Sequence, residues 1–271
     1  MSNQKELNKY FVANKNLWNK RVAIHKNSDL YDVEEFKKGK NSLQHIELEE
    51  LSDVKGKSLL HLQCHFGLDS LSWARLGVKV TGVDFSEEAI DLAKSLNDEL
   101  NLDAKFICSN IYDMEKHLDE KFDIVFTSYG TIGWLNDLNE WGRLISKYLK
   151  PGGTFYIVEF HNVLWMFDSD FKELKYSYFY KEEPIAEENP GTYANRLADI
   201  KQIEYGWNHP LSEVINSLIE NGIQLEYLHE FPYSVYDVFP NTGKGEDGWW
   251  RLKGFENIVP MMFSIKAMKI L

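Results

Sequence analysis

The sequence predicts an α/β protein built on a doubly wound sheet of mostly parallel strands. From Leu59 onwards, short apolar runs alternate with amphipathic stretches, which is the pattern of buried parallel strands separated by helices. The first apolar run ends in a turn with a single glycine, Gly67, and Asp84 ends the second run. A strand, a turn and a helix followed by a strand-terminal acid indicate a ligand site at the carboxyl ends of the strands.

The strands are identified by their apolar residues. We predict seven, with the sequences SLLHLQ (58–63), VKVTGVD (78–84), AKFICS (104–109), FDIVFTSY (122–129), TFYIVEF (154–160), IQLEYLHEF (223–231) and MMFSIKAMKI (261–270). Helices are predicted for residues 69–76, 86–100, 138–149 and 210–222. No helix lies between the last two strands, so they should pair as an antiparallel hairpin, because a parallel return requires a crossover.

Composition and charge exclude several classes of function. The net charge of −12 and the lack of a basic stripe argue against a nucleic-acid surface. No apolar run approaches the roughly 18 residues of a membrane span, and the polar start MSNQKELNKY lacks the apolar core of a signal peptide. Two cysteines, Cys64 and Cys108, do not make a disulfide framework. We therefore expect a cytoplasmic monomer or homodimer that acts on a small molecule.

The turn after the first strand limits the ligand. A nucleoside-triphosphate site needs GxxxxGK followed by Ser or Thr, which is missing, and a dinucleotide site needs GxGxxG so that backbone can approach a pyrophosphate. HLQCHFG supplies one glycine, so a pyrophosphate would meet side chains. S-adenosylmethionine carries adenosine without phosphate, and its methionine end requires hydrogen bonds to an amine and a carboxylate. The bulky turn therefore favours this cofactor.

Asp84 and its neighbour Phe85 each have two possible roles. An acid at the tip of the second strand accepts hydrogen bonds from both ribose hydroxyls in doubly wound folds. The alternative is a helix cap, for which Ser86 is the better candidate. Phe85 would lie beside the adenine or would simply pack in the core.

The chain resembles the class I S-adenosylmethionine-dependent methyltransferases over roughly residues 57–159 and the C-terminal hairpin. The resemblance rests on five segments in order: LLHLQCHFG, GVDFSEEAI, CSNIYDM, FDIVFTSYGTIGWL and LKPGGTFYIVEF. His61, Gln63 and His65 stand where the family usually has an acid and two glycines, as in small-molecule methyltransferases with a variant QCHFG turn. The resemblance implies a Rossmann-like seven-stranded sheet of order 3-2-1-4-5-7-6, with the last strand antiparallel.

The pattern along the chain predicts the domain organisation, and the resemblance implies the cofactor site. We expect residues 1–271 to form one domain, divided into a helical lid (1–55), a cofactor-binding core (57–160), an inserted cap (161–206) and a C-terminal helix and hairpin (207–271) with an insert at 232–259. Asn110 stands where the family often has an aspartate facing the adenine amino group, and Tyr129 and Gly130 should face the methyl group. The expected cofactor contacts are Gln63, Cys64, His65, Gly67, Asp84, Phe85, Ser86, Asn110, Ile111, Ser128, Tyr129 and Gly130. No metal site is predicted, because the eight histidines are scattered.

Catalytic residues are harder to identify, because methyl transfer is an in-line displacement that needs alignment and exclusion of water but no obligatory acid or base. The candidates are His161, Tyr129 and His209. His161 has the alternative of a structural hydrogen bond, and His209 that of a residue at the start of a helix. Arg21 could meet the methionine carboxylate or lie solvated on the surface. The predicted lid or substrate residues are Arg21, Tyr31, Trp134 and Trp165, with Trp18, His25, Phe36, Tyr178, Tyr180 and Tyr193 as further ring candidates.

The predicted function is methyl transfer from S-adenosylmethionine to a nitrogen or oxygen of a small molecule. Two alternatives stay open. A nicotinamide-dependent reductase predicts glycines at positions 63 and 65 and a parallel final crossover. A non-catalytic sensor of S-adenosylmethionine is not excluded by any sequence feature.

Overall fold

The computed structural model describes residues 2–270, with residues 2–6 described as helical backbone only. Its strands are β1 (Ser58–Leu62), β2 (Lys79–Asp84), β3 (Lys105–Cys108), β4 (Phe122–Ser128), β5 (Leu149–Phe160), β6 (Ile185–Pro190), β7 (Lys201–Gly206), β8 (Ile223–Phe231), β9 (Thr242–Lys244), β10 (Trp250–Leu252) and β11 (Met262–Lys269). Its α-helices are α1 (Ser2–Lys26), α2 (Val33–Lys37), α3 (His45–Glu50), α4 (Leu68–Arg75), α5 (Glu87–Glu99), α6 (Leu138–Tyr148) and α7 (Leu211–Glu220). Short 3₁₀ helices span Ile111–Lys116, Ile132–Trp134 and Asn162–Met166.

Seven strands form one sheet in the order β3-β2-β1-β4-β5-β11-β8. β1 pairs in parallel with β2, β2 with β3 and β4 with β5. β11, the last strand, runs antiparallel to both β5 and β8. Because β8 and β11 are the sixth and seventh sheet strands along the chain, the predicted order and the antiparallel last strand are confirmed. The parallel final crossover that a reductase would predict is wrong for this chain.

Local sequence explains the elements of the sheet. The apolar residues of β1 are buried, with Leu59 and Leu60 fully enclosed, as expected for a central strand covered on both faces. Helix α5 begins after Ser86, whose hydroxyl accepts a hydrogen bond from the Ala89 amide at 3.1 Å. Ser86 is therefore the helix cap, as the sequence predicts.

The chain divides into two compact units. The first unit comprises Met1–Leu43, Asp53–Asp119 and Ile185–Gly206, and it contains β1, β2, β3 and the β6–β7 hairpin. The second unit comprises Gln44–Ser52, Glu120–Pro184 and Trp207–Leu271, and it contains β4, β5, β8 and β11. Residues 161–184 thus belong to the second unit and residues 185–206 to the first.

The described residues contain neither a candidate membrane span nor a candidate metal cluster. Among the helices of residues 2–270, none combines the length and the apolarity needed to cross a bilayer. Within the same part of the chain, no group of three or more His, Cys, Asp and Glu side chains is placed to hold a metal ion.

Candidate functional site

In the first unit, the turn from β1 to α4 adopts a strained backbone. Gln63, His65 and Gly67 have φ values of 54°, 51° and 78°, so alternate residues are left-handed. A side chain in this region costs about 1–2 kcal/mol per residue, and such strain clusters at ligand sites. At Gly67 a Cβ atom would also lie 2.7 Å from the Phe106 ring. Gln63 and His65 therefore adopt a backbone conformation typical of glycine although they carry large side chains. At position 67, both the backbone conformation and the packing against Phe106 require glycine.

Asp84 connects the end of β2 to this turn. Its side chain is buried, with Oδ2 accepting from the His65 amide at 2.8 Å and Oδ1 accepting from the Ser86 amide at 2.9 Å. Burial raises the pKa of Asp84 to about 6, and the backbone N–H donors oppose the rise. Each carboxylate oxygen keeps a second lone pair, so the group is able to accept hydrogen bonds from a ribose diol.

The other predicted cofactor residues of the first unit lie at the ends of neighbouring parallel strands. Asp84 is in register with Cys108 on β3. Asn110 follows β3, and its Oδ1 caps the next 3₁₀ helix by accepting from the Tyr112 amide at 3.1 Å. Ile111 and Cys64 are buried, and burial raises the pKa of the Cys64 thiol well above its usual value. The sheet therefore places these residues on one edge, beside the strained turn.

A layer formed by α1 and residues 185–206, here called the cover, packs within the first unit. Asn14 binds the Tyr205 backbone twice, donating to the carbonyl at 2.8 Å and accepting from the amide at 2.9 Å. Arg21 forms an ion pair with Glu204 at 2.6 Å and is 7% exposed. The expectation of a solvated surface arginine is therefore wrong, because the guanidinium is buried against a carboxylate of the cover.

Five rings form a cluster, here called the ring cluster, from the cover, from the segment that follows α1 and from the turn: Trp18, His25, Tyr31, His65 and Tyr193. The centroid of the His65 ring lies 5.3 Å from Trp18, 5.2 Å from His25 and 5.4 Å from Tyr31. The centroid of Tyr193 lies 4.8 Å from that of His25, and its hydroxyl is 2.5 Å from that of Tyr31. The structure thus brings the predicted lid residue Tyr31 and three further ring candidates, Trp18, His25 and Tyr193, into one cluster with His65 of the turn.

Two imidazoles in the ring cluster have unusual surroundings. The His25 side chain is fully buried, and within residues 2–270 none of the four ring nitrogens of His25 and His65 has a hydrogen-bond partner. Burial lowers the pKa of His25 to about 3, assisted by the nearby Arg21 charge. The pKa of His65 is also lowered well below its usual value, mainly by burial. Both rings are therefore neutral at pH 7.

In the second unit, Glu159 fixes the turn that follows β4. Tyr129 and Gly130 have positive φ values of 35° and 76°. Glu159 is buried, and its carboxylate accepts from the Thr131 hydroxyl and from the backbone amides of Gly130, Thr131, Ile132 and Phe160. Burial raises its pKa while these donors oppose the rise. Glu159 lies within the predicted strand 154–160, but the sequence does not identify it as the anchor of this turn.

Tyr129, a candidate catalytic residue, is held by a buried carboxylate. Its hydroxyl donates to Oε2 of Glu47 at 2.8 Å, and Glu47 is fully buried on α3. Burial, followed by the Glu47 charge, raises the pKa of Tyr129 well above its usual value. The phenol is therefore protonated at pH 7. Beside it Ser128 is buried, and Trp134 donates its indole N–H to the Gly130 carbonyl at 2.8 Å.

The two candidate histidines of the second unit are bonded within the chain. The Nε2 atom of His161 lies 2.8 Å from Glu230 Oε1, and its Nδ1 accepts from the Val163 amide at 3.3 Å. The Nε2 atom of His209 donates to the Leu135 carbonyl at 2.7 Å, and its Nδ1 lies 3.1 Å from a carboxylate oxygen of Glu213. These contacts favour the structural alternatives, and the catalytic roles stay predictions.

The predicted substrate residue Trp165 packs among aromatic side chains of the second unit. The centroid of its ring lies 6.5 Å from that of Phe160 and 5.8 Å from that of Phe239. Its backbone carbonyl accepts a hydrogen bond from the Asn208 side chain at 2.8 Å.

Comparisons with known proteins agree with this fold. Residues 60–157 match the family described as a methyltransferase domain. A ubiquinone biosynthesis O-methyltransferase of Coxiella burnetii is 32% identical over 109 residues, which are 40% of this chain and 46% of the relative. A crystal structure of an S-adenosylmethionine-dependent methyltransferase from Mesorhizobium loti matches with a TM-score of 0.56 at 19% identity, covering 86% of this chain and 100% of the other. A structure from Clostridium acetobutylicum, also described as such a methyltransferase, gives a TM-score of 0.58 at 13% identity, covering 94% and 100%.

These similarities differ in what they establish. The solved structures are too distant in sequence to show more than the fold, and the chain spans about half the length of the curated relatives it matches. The family match and the sheet order agree with the five sequence segments that carry the resemblance. Residues 60–157 thus match a methyltransferase domain, and the predicted resemblance to methyltransferases is confirmed for this segment.

Proposed function

We propose that this protein binds S-adenosylmethionine and transfers its methyl group to a nitrogen or oxygen atom of a small molecule. The observation that carries the proposal is the strained turn at residues 63–67 joined to the buried carboxylate of Asp84. When bound, the cofactor supplies a methyl group on a sulfonium sulfur for in-line displacement.

The residues of the first unit fit this cofactor. Asp84 offers two free lone-pair directions to the ribose hydroxyls, and the adjacent Ser86 amide keeps its carboxylate in place. Asn110 and Ile111 follow the neighbouring strand, where an adenine would lie. The neutral imidazole of His65 stands on the turn that receives the amino-acid end. Nothing in this set requires a phosphate on the ligand.

The acceptor is proposed as a small molecule on two grounds. The net charge of −12 disfavours a nucleic-acid substrate. The Coxiella burnetii relative is described as an O-methyltransferase of ubiquinone biosynthesis, which supports oxygen as one acceptor atom. The chain's own part in the displacement is to align the two reactants and to exclude water, which supplies about 7–11 kcal/mol in well-oriented reactions.

Calorimetry with S-adenosylmethionine and S-adenosylhomocysteine tests the binding step. Asp84→Ala should weaken both affinities about tenfold or more, because hydrogen bonds to a charged group contribute about 1.5–3 kcal/mol. Asp91→Ala, which replaces an exposed aspartate on α5, is the matched control. Unchanged affinity in a folded Asp84→Ala variant would contradict the ribose assignment.

Turnover is tested separately, by measuring S-adenosylhomocysteine formation across a panel of phenols, carboxylic acids and amines. Product with any of these acceptors supports the proposal. Tight binding without transfer to any acceptor would favour the sensor, and binding of NADH without binding of S-adenosylmethionine would favour the reductase.

A further inference from the structure

We infer that His25 and His65 together form a site for the amino-acid end of the cofactor, pairing two uncharged imidazoles with one zwitterion. The inference rests on the proposed function for the identity of the cofactor. It assigns to α1 a direct ligand contact, made by His25, that the family resemblance does not supply.

The first step is the unsatisfied hydrogen-bonding capacity. Four ring nitrogens are buried in the ring cluster, and none has a partner within the described residues 2–270. A buried polar group without a partner costs about 1–3 kcal/mol, and native structures leave few of them. Two such imidazoles with ring centroids 5.2 Å apart therefore indicate a polar ligand.

The second step is chemical complementarity. A neutral imidazole carries one N–H donor and one lone-pair acceptor, so the pair offers two of each. The amino-acid end of the cofactor presents an ammonium group, which donates, and a carboxylate, which accepts. A phosphate would use the donors and leave both acceptor nitrogens unsatisfied, whereas the zwitterion can use all four.

The third step is the charge of the surroundings. Arg21, the cation near these rings, is already paired with Glu204 of the cover at 2.6 Å. The hydroxyls of Tyr31 and Tyr193 bond each other, and burial raises the pKa of Tyr193 to about 12. Asp84 accepts from the backbone amide of His65 rather than from its ring. The uncharged imidazoles are thus left for the ligand.

A catalytic role for His25 is less consistent with these facts. A general base is most effective when its pKa lies near the operating pH, and burial lowers the pKa of His25 to about 3. Such a weak base serves better as a hydrogen-bonding group than as a proton acceptor from the substrate.

The test compares two ligands that differ only in this end. S-adenosylhomocysteine contains it, and 5′-methylthioadenosine has the same adenosine and thioether without it. His25→Phe keeps a ring on α1 and removes both nitrogens. We expect the variant to bind S-adenosylhomocysteine about tenfold or more weakly, the effect of losing a hydrogen bond to a charged group, and to bind 5′-methylthioadenosine within twofold of wild type.

The outcomes separate this inference from the proposed function. If wild type binds both ligands and His25→Phe weakens them equally or not at all, the inference is overturned while cofactor binding stands. If wild type binds neither ligand, the proposed function fails and the inference with it. His65→Asn, which suits the left-handed backbone at this position, repeats the test should His25→Phe not fold as judged by circular dichroism. His117→Phe, which replaces an exposed histidine, is the control for loss of an imidazole.

Discussion

Mild acid should destabilise the protein through its buried histidines, and His25 allows the effect to be isolated. Its pKa is about 3 in the folded chain and about 6.5 in an unfolded one. Between these values the unfolded chain binds a proton that the folded chain does not bind. The part of the free energy of unfolding that depends on His25 is therefore highest above pH 6.5 and falls as the pH drops towards 3.

The magnitude follows from these pKa values. Lowering the pH from 7 to 5 should reduce the free energy of unfolding by about 2 kcal/mol through His25. His61 should reduce it by about the same amount, because burial lowers its pKa to about 3 as well. Asp84 acts in the opposite direction, because burial raises its pKa to about 6 and the folded chain then binds the extra proton. Over the same step Asp84 should stabilise the folded chain by about 1 kcal/mol. The net loss from these three groups is about 2–3 kcal/mol.

Urea unfolding followed by circular dichroism measures this loss as the difference in the free energy of unfolding between pH 7 and pH 5. The same unfolding transition is compared in wild type and variant. In His25→Phe the difference between the two pH values should shrink by about 2 kcal/mol, because the substituted side chain cannot take up a proton in either state. An equal pH effect in wild type and variant would show that the folded chain protonates this ring, and the reasoning from burial would fail.

Three further substitutions test the architecture, each by urea unfolding. Gly67→Ala should lower the free energy of unfolding by about 2–5 kcal/mol, since it adds a clash to a left-handed backbone. Gly56→Ala is the control, also at positive φ but with open space around it, and should lower it less. Equal losses would refute the packing argument. Asn14→Ala should lower the free energy of unfolding by about 1–3 kcal/mol, because two backbone groups of β7 lose their partner. Asn16→Ala, at an exposed position, should leave it unchanged. An unchanged free energy of unfolding in Asn14→Ala would count against docking of α1. Glu159→Gln should lower the free energy of unfolding by about 2–4 kcal/mol, since the NH₂ group of the glutamine would face backbone N–H groups that also donate. A loss under 1 kcal/mol would contradict the anchor role.

Features set by neighbouring residues could be predicted from the sequence. The apolar runs define the seven strands, because burial on both faces requires continuous apolar residues. The cap of α5 follows from Ser86 alone, and the antiparallel last strand follows from the missing crossover helix. The position of Asp84 at the end of β2 follows from the same local pattern.

The cover could not be predicted in detail. Asn14 and Tyr205 are 191 positions apart, and Arg21 and Glu204 are 183 apart, so no periodicity or spacing in the sequence connects them. The polarity of these residues fits a solvated surface equally well, and only the fold shows that they bind each other. The backbone at Gln63 was also not predictable from propensity, because such side chains rarely adopt positive φ values.

The discontinuity of the first unit has a consequence for how the protein is made. A nascent chain that has left the ribosome as far as residue 184 already contains β1 to β5. Its N-terminal helix nevertheless lacks the strand that Asn14 binds, because β7 begins only at Lys201. Closing so long a loop is slow. The cover is thus completed late in synthesis, after the strand ends beneath it have been translated.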